Sequence, residues 1–313
     1  MTTLLKAADL NVVLPALAVD RSYDPVYAKA VEVAPLIRRV LARNANHFTF
    51  HGTGTYIVGR GNVAVIDPGP LIDEHLEALK TALAGETVTH ILVTHTHNDH
   101  SPAAAPLKAA TGAKTYGYGA HGAGKRDAGV TVEEGGDREF RPDVTVGHGA
   151  VIAGDGWTFD CVYTPGHTSN HMCFALREAQ ALFVGDHVMG WSTTVIVPPD
   201  GDMAQYFASL EILKHRTDHL YYPTHGNPIS TPQVFVSTLI DHRRARERQI
   251  AVCLTRGLSR ISDMVAVIYS EIDQRLHAAA AMSVLAHLQH MVAPGRAVCV
   301  GAPDADSHYR LIT

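Results

Sequence analysis

The segment His95-Thr96-His97-Asn98-Asp99-His100 puts four metal-capable side chains within one short stretch. In an extended or looping chain, alternate side chains point the same way. His95 and His97 can therefore reach one cation together. Asp99 and His100 fall after the turn and can face a second cation beside the first. Neutral imidazole and carboxylate are suitable donors for Zn²⁺, and also for Fe or Mn. Three more donors stand at the ends of later strand-like runs: His167 after Thr164-Pro165-Gly166, Asp186 after Gly185, and His225 after Thr224. Asp186 is a carboxylate that can bridge two cations. Any one of these histidines alone reads as a surface or hydrogen-bonded core residue, whereas the ordered set is hard to explain as packing.

The chemistry such a set supports is hydrolysis by a metal-activated water. Asp99 can hold that nucleophile as well as bind metal. Three residues near the site are candidates for proton donor to the leaving group. His187 follows Asp186 but points away if the strand alternates, and Asn170 and His171 have equally weak claims. Trp191-Ser192-Thr193-Thr194 follows the bridging position and reads evenly as a pocket wall or as packing.

The elements must bring these residues together. Residues 21–45 read as largely helical, with Val31, Leu36, Ile37, Val40 and Leu41 as apolar positions and Pro35 as a break. Strand-like runs at 55–58 and 63–66 flank Gly59-Arg60-Gly61-Asn62, a hairpin turn. Residues 73–84 read as an amphipathic helix with Leu76, Leu79 and Leu83 inward. The buried strand 87–94 delivers the histidine segment. Ser101 then caps a helix with Pro102 in its first position, running to about Ala110 and stopping at Gly112. The histidines thus sit on a strand-to-helix loop, where ligands bind in many α/β proteins. Further strands are expected at 114–118, 157–163, 172–176, 181–184 and 220–223, and a helix at 203–214. From about Pro232 the character changes: a long helix over 232–258, two shorter ones near 259–271 and 276–291, and two short strands at 296–300 and 308–312. That pattern suggests a winged-helix-like module. The expected division is 1–231 and 232–313.

Composition sets the bounds. The chain has 313 residues, 46% hydrophobic and 18% charged, which fits a large core with an appendage. Its formal charge of −5 gives no general attraction to nucleic acid or anionic membranes. Twenty His is a high count and raises the expectation of a metal site. Cys161, Cys173, Cys253 and Cys299 form no C-x-x-C pair and read as buried thiols, so the expected compartment is cytoplasmic. Lys6, Asp9 and Asp20 interrupt the N-terminal stretch, which argues against a signal peptide. No run of about 18 apolar residues is present, so no membrane span is expected. Val234, Leu239 and Ile240 offer apolar surface for a homodimer contact or, by default, for packing on the core.

The metal set resembles the metallo-β-lactamase superfamily. The resemblance covers the chain from about Thr53 to His225 and includes Gly61-Asn62-Val63-Ala64-Val65-Ile66-Asp67-Pro68-Gly69. It implies an α+β fold, a four-layer αβ/βα sandwich with the site at one edge of the paired sheets. It implies two divalent metal ions, Zn first and Fe or Mn as alternatives. His95, His97 and His167 would bind the first, Asp99, His100 and His225 the second, and Asp186 would bridge. Asp67 would orient a ligand histidine. True metallo-β-lactamases generally carry Cys or Ser in the region of Asp186, whereas glyoxalase II-like thioesterases, lactonases and phosphodiesterases carry Asp. The flavodiiron branch usually has Glu at the position of His97. The expectation is therefore a hydrolase of a small-molecule ester, thioester or lactone.

His242-Arg243-x-x-Arg246-Glu247-x-Gln249-Ile250 is similar to the linker helix of lactamase-β-like-protein-2-type hydrolases, which carry a winged-helix tail and include reported endoribonucleases. A metal-dependent endoribonuclease or phosphodiesterase is thus the runner-up, and a ligand-sensing DNA-binding regulator the third reading. Charge supports neither strongly. From 232 onward there are nine Arg, no Lys and seven acidic residues, a balance of +2. The arginine-rich helix reads better as a solvated face paired locally to Asp241 and Glu247. Asp304 and Asp306 on the wing would repel phosphate.

Overall fold

The computed structural model describes residues 6–122 and 135–312. The first five residues of the N-terminal stretch read above lie outside the described residues. The first sheet runs in chain order through β1 (Ala30–Ala34), β2 (Ile37–Leu41), β3 (Gly54–Val58), β4 (Asn62–Ile66), β5 (Thr87–Leu92), β6 (Lys114–Gly117) and β7 (Val144–Thr145). β1 to β4 pair antiparallel, and β4 to β7 parallel. The crossovers between the parallel strands β4, β5 and β6 carry α1 (Asp73–Ala82) and α2 (Ala104–Thr111). The second sheet comprises β8 (Val151–Gly154), β9 (Trp157–Tyr163), β10 (Met172–Leu176), β11 (Ala181–Gly185) and β12 (Leu220–Pro223), in the order β12-β11-β10-β9-β8. α3 (Met203–Lys214) connects β11 to β12, which pair parallel.

Side-chain alternation explains how the layers stack. On β4, Val63 and Val65 pack with Leu79 of α1 and Leu107 of α2. Ala64 and Ile66 face the other way, into a core shared with Phe159, Phe174, Phe183 and Tyr222 of the second sheet. The far face of that sheet, through Val162, Cys173, Leu182 and Val184, packs on α3 and on α4 (Pro232–Thr255). Helices, sheet, sheet and helices form the expected four-layer αβ/βα sandwich. Strands buried on both faces read as continuous apolar runs, which is why β4, β10 and β11 were visible in the sequence.

The C-terminal part adds α5 (Ile261–Ile268), α6 (His277–Val292) and a ribbon of β13 (Ala297–Cys299) and β14 (Tyr309–Leu311). These enclose their own core, with Met264, Val284, Leu288 and Tyr309 around Ile250 and Cys253 of α4. The same α4 inserts Phe235, Val236, Leu239 and Ile240 into the sandwich core, so one helix serves two cores. Leu239 and Ile240 are thereby used in packing on the core, and Val234 stays exposed. Cys161, Cys173 and Cys253 are buried free thiols as expected, while Cys299 is half-buried.

Two expectations need correction. Residues 21–45 are not helical but carry β1 and β2. Pro35 and Leu36 form the turn of that hairpin. Val31, Val33, Ile37 and Val40 suit strands, Pro35 pre-sets a turn dihedral, and Ala28 sits at a positive φ of 56° that interrupts any helix. The helix after the histidines starts at Ala104 rather than at Pro102. Ser101 does not cap it, because its Oγ donates instead to Asp137 Oδ2 at 2.7 Å. Its end at Gly112, with φ 74°, is as expected.

Candidate metal centre

Five strands end at the same edge of the sandwich, and each delivers a polar side chain there. β4 ends in Asp67, β5 leads to Thr94 and the histidine segment, β9 to His167, β11 to Asp186, and β12 to Thr224 and His225. Asp67 ties three of these ends together. It accepts from the Thr94 backbone N–H and hydroxyl, both at 2.7 Å, and from the Thr224 hydroxyl at 3.1 Å. His100 Nδ1 lies 2.9 Å from Asp67 Oδ2, which turns Nε2 of that ring toward Asp99 and Asp186.

Two other rings, His167 and His225, are oriented in the same way by their second nitrogen. His167 Nδ1 bonds Val195 O at 2.9 Å, and His225 Nδ1 bonds Gly52 O at 3.0 Å. His225 Nε2 then lies 3.2 Å from Asp99 Oδ2 and 3.3 Å from Asp186 Oδ2. His95 Nε2 lies 3.0 Å from His97 Nδ1. Three sets of donor atoms each cluster within 4.8 Å: His95, His97 and His167; His95, His100 and Asp186; Asp99, His100 and His225. All seven side chains singled out in the sequence therefore meet in one place. Asp186 falls between the other two sets, sharing a cluster with one member of each.

The donor set fits a divalent cation. His167 Nε2 and Asp186 Oδ1 are buried and bond nothing among the described residues. A buried polar atom without a partner costs about 1–3 kcal/mol, and here each belongs to a residue of a donor cluster that includes His95. Electrostatics point the same way. Burial, reinforced by neighbouring histidines, holds His95 and His97 well below the usual histidine range, as neutral donors. Burial would also lower His100 and His225. For His100, Asp99, Asp186 and Asp67 override it and hold the ring well above its usual value. For His225, Asp186 and Asp99 push it up to about 10. Burial would raise Asp99 and Asp186, yet the adjacent rings hold both carboxyls below the usual range. Two buried carboxylates facing imidazoles demand positive charge, and bound cations supply it without protonating the rings.

Beside the ligands opens a narrow cleft, lined by His97, Asp99, Asp186 and His225. Phe48, Met189, Trp191 and Thr193 wall it. Trp191 stacks on Phe50, with centroids 4.7 Å apart and planes 11° from parallel. The loop after Asp186 is thus a pocket wall, which the sequence had left undecided. His187 faces away, its ring 4.6 Å from that of Tyr206 inside the core. Asn170 is occupied with Thr96 Oγ1 at 2.8 Å and the carbonyls of Gly119 and Ala120. His171 is buried against Thr164 Oγ1. Neither lines the cleft.

Sequence reading missed several contributors. Thr53 Oγ1 donates to Asp99 Oδ2 at 2.9 Å. Arg39 is buried and donates to Gly226 O at 2.8 Å, next to His225. Phe48 and Thr49 line the cleft from the loop before β3. No spacing signal connects these to the histidines. A reading of 30–41 as strands would have raised Arg39 as a charged residue pointing into a buried face.

Comparison with known proteins agrees with this geometry. Residues 49–225 match the model of the metallo-beta-lactamase superfamily, and residues 261–305 that of the beta-lactamase associated winged helix domain. An atrochrysone carboxyl ACP thioesterase of Claviceps purpurea is 29% identical over 77% of this chain and 74% of its own length. The lactamase-like protein adaB of Aspergillus niger is 30% identical over 76% of this chain and 70% of its own. Among solved structures, a beta-lactamase domain protein from Burkholderia ambifaria superposes with a TM-score of 0.75 at 19% identity, covering 95% of this chain and 97% of that one. A metallo-beta-lactamase family protein from Thermus thermophilus superposes at 0.72 and 19% identity, covering 90% of this chain and 100% of that one.

Proposed function

The chain belongs to the metallo-beta-lactamase superfamily, and from that premise we propose that this hydrolase cleaves an acyl thioester at a dinuclear centre. His95, His97 and His167 would hold one divalent cation and Asp99, His100 and His225 the other, with Asp186 placed to serve as a ligand to either. Zinc is the first choice, because neutral imidazole and carboxylate donors suit it. Bound there, such cations lower the pKa of a shared water and polarise the substrate oxygen.

The chain's own residues do the rest. Asp99 has Oδ2 pinned by the Thr53 hydroxyl, so its carboxylate is fixed in the cleft lining to orient the attacking water. Asp67 keeps His100 in one tautomer and one orientation. Phe48, Met189 and Trp191 offer an apolar wall for the acyl chain and exclude water beside the carbonyl.

One observation carries the choice of a carbonyl substrate: neither Lys nor Arg lines the cleft among the described residues. Phosphodiester recognition relies on such cations. A thiolate is a good leaving group and needs no strong proton donor, which suits a cleft where His187 is turned away. Two of the relatives above bear names that fit, one called an ACP thioesterase and the other lactamase-like. The compartment consistent with the free thiols is a reducing one, and no described helix is long and apolar enough to cross a membrane.

The test is a substrate panel on the metal-loaded protein: acyl thioesters, p-nitrophenyl esters, a lactone, bis-p-nitrophenyl phosphate and single-stranded RNA. Turnover highest on the thioesters is expected. Turnover confined to the phosphodiesters would overturn the reading.

A further inference from the structure

The motif His242-Arg243-x-x-Arg246-Glu247-x-Gln249 lies on α4 and takes no part in the chemistry above, yet most of it is buried. His242 bonds Pro15 O, Arg246 bonds Gln249, and Glu247 bonds residues of α6 and the segment before β13. Arg243 differs from these in pointing toward the metal centre. It is 4% exposed, and its Nη2 donates to Thr194 O. Its guanidinium carbon lies 5.4 Å from the Tyr206 ring centroid. No carboxylate pairs with it among the described residues, so ion pairing does not explain a buried guanidinium here.

What Arg243 grips is the loop that joins two of the ligands. The Thr194 hydroxyl donates to the backbone carbonyl of Asp186 at 2.7 Å. The next carbonyl, Val195 O, accepts the bond from His167 Nδ1 that aims Nε2 into the site. The preceding residues Trp191, Ser192 and Thr193 form the cleft wall. A shift of the Thr194 peptide would therefore move the His167 ring, the Asp186 backbone and the substrate wall together.

We propose that Arg243 is a positioning residue of the metal centre: by holding the Thr194 carbonyl from α4, it sets the orientation of His167 and the wall of the cleft. The helix α4 is on this account a structural part of the site. The inference rests on the reading of that cleft as the hydrolytic site, and concerns how it is held rather than what it cleaves.

The experiment compares wild type with Arg243→Met, which keeps the apolar stem and removes the donors, and Arg243→Lys, which keeps the charge on a shorter reach. Three quantities are read: metal affinity by titration of the chelated protein, acrylamide quenching of tryptophan, and kcat/KM on an acyl thioester. Trp157 is 1% exposed, so quenching reports mainly on Trp191. Arg243→Met is expected to weaken at least one metal equivalent and kcat/KM by about 10- to 100-fold, with stronger quenching of Trp191. Arg243→Lys should fall between it and wild type. A folded Arg243→Met with wild-type metal affinity and quenching overturns the proposal. If that variant does not fold, wild-type values for both in Arg243→Lys do the same. A wild type that turns over no thioester would sink the substrate reading, while shifted affinity and quenching in the variants would still support this one.

Discussion

Asp67 shows how much one side chain outside the ligand set can decide. Its two oxygens take bonds from Thr94 and His100 after β5 and from Thr224 after β12, so that with its own β4 it ties three strand ends together. Asp67→Ala frees the His100 ring and leaves the buried Thr94 N–H without its acceptor. A loss of about 10- to 100-fold in metal affinity or kcat/KM is expected, together with a lower melting temperature. Metal titration and thermal melting of the variant check this, and wild-type values in both would contradict it. The ligands were legible in the sequence because their type and spacing carry the chemistry: four donors in a short run, then one at each later strand end. Asp67 was legible only through family resemblance. Thr53 and Arg39 were not legible, since they reach the site across the sheet.

At the level of elements, strands buried on both faces were legible, and the edge of the first sheet was not. β1 and β2 mix Arg38 and Arg39 with apolar residues, which blurs the alternation that marks a strand. The pairing of β1 with β2 and of β2 with β3 settles the matter through register, with Arg39 opposite Tyr56. The arginine-rich face of α4 was half misread. Arg244 does pair locally with Asp241, and it also reaches Glu211 on α3. Glu247 turns inward instead, taking bonds from His290 at 2.5 Å and Arg296 at 2.7 Å, with His287 at 3.4 Å. Burial would raise its carboxyl, but hydrogen bonds from His287, His290 and Arg296 hold it below the usual range. Glu247→Gln removes a buried carboxylate whose partners Arg296 and His290 reach solvent and are partly screened, and should cost about 1–3 kcal/mol. The folded pKa is depressed, so this stabilisation is present above the ordinary carboxylate value of about 4.3 and is lost as pH falls through the lower folded value. Denaturant unfolding of both proteins should show a gap that is full at pH 7 and closes in acid. A gap that widens on acidification would contradict the assignment.

On the scale of the whole molecule, α4 binds the two cores into one folding unit. Phe235, Val236, Leu239 and Ile240 cover the second sheet, while Ile250 and Cys253 anchor the C-terminal bundle. Ending the chain at residue 231 would uncover Leu182, Val184 and Tyr206 and remove Arg243 from the metal-site loop. The shortened chain is expected to aggregate or to lose metal binding; a folded, metal-loaded fragment of 1–231 would show that the sandwich stands alone. The sequence placed a change of character near Pro232 correctly as a helix start, but could not show that this helix belongs to both cores, because periodicity does not name a helix's partners. Metal couples to the whole fold as well. Cations that bind only the native state stabilise it by about 2.7 kcal/mol at a hundredfold excess over Kd, so chelation should lower the melting temperature and re-addition restore it. On the function proposed above, His95, His97, Asp99, His100, His167, Asp186 and His225 together hold two cations, and metal stoichiometry decides it. Titrating the chelated protein with zinc, and counting metal by elemental analysis after desalting, should give two equivalents per chain in the wild type and fewer in Asp186→Ala. No retained metal, or the same two equivalents in Asp186→Ala, would contradict it.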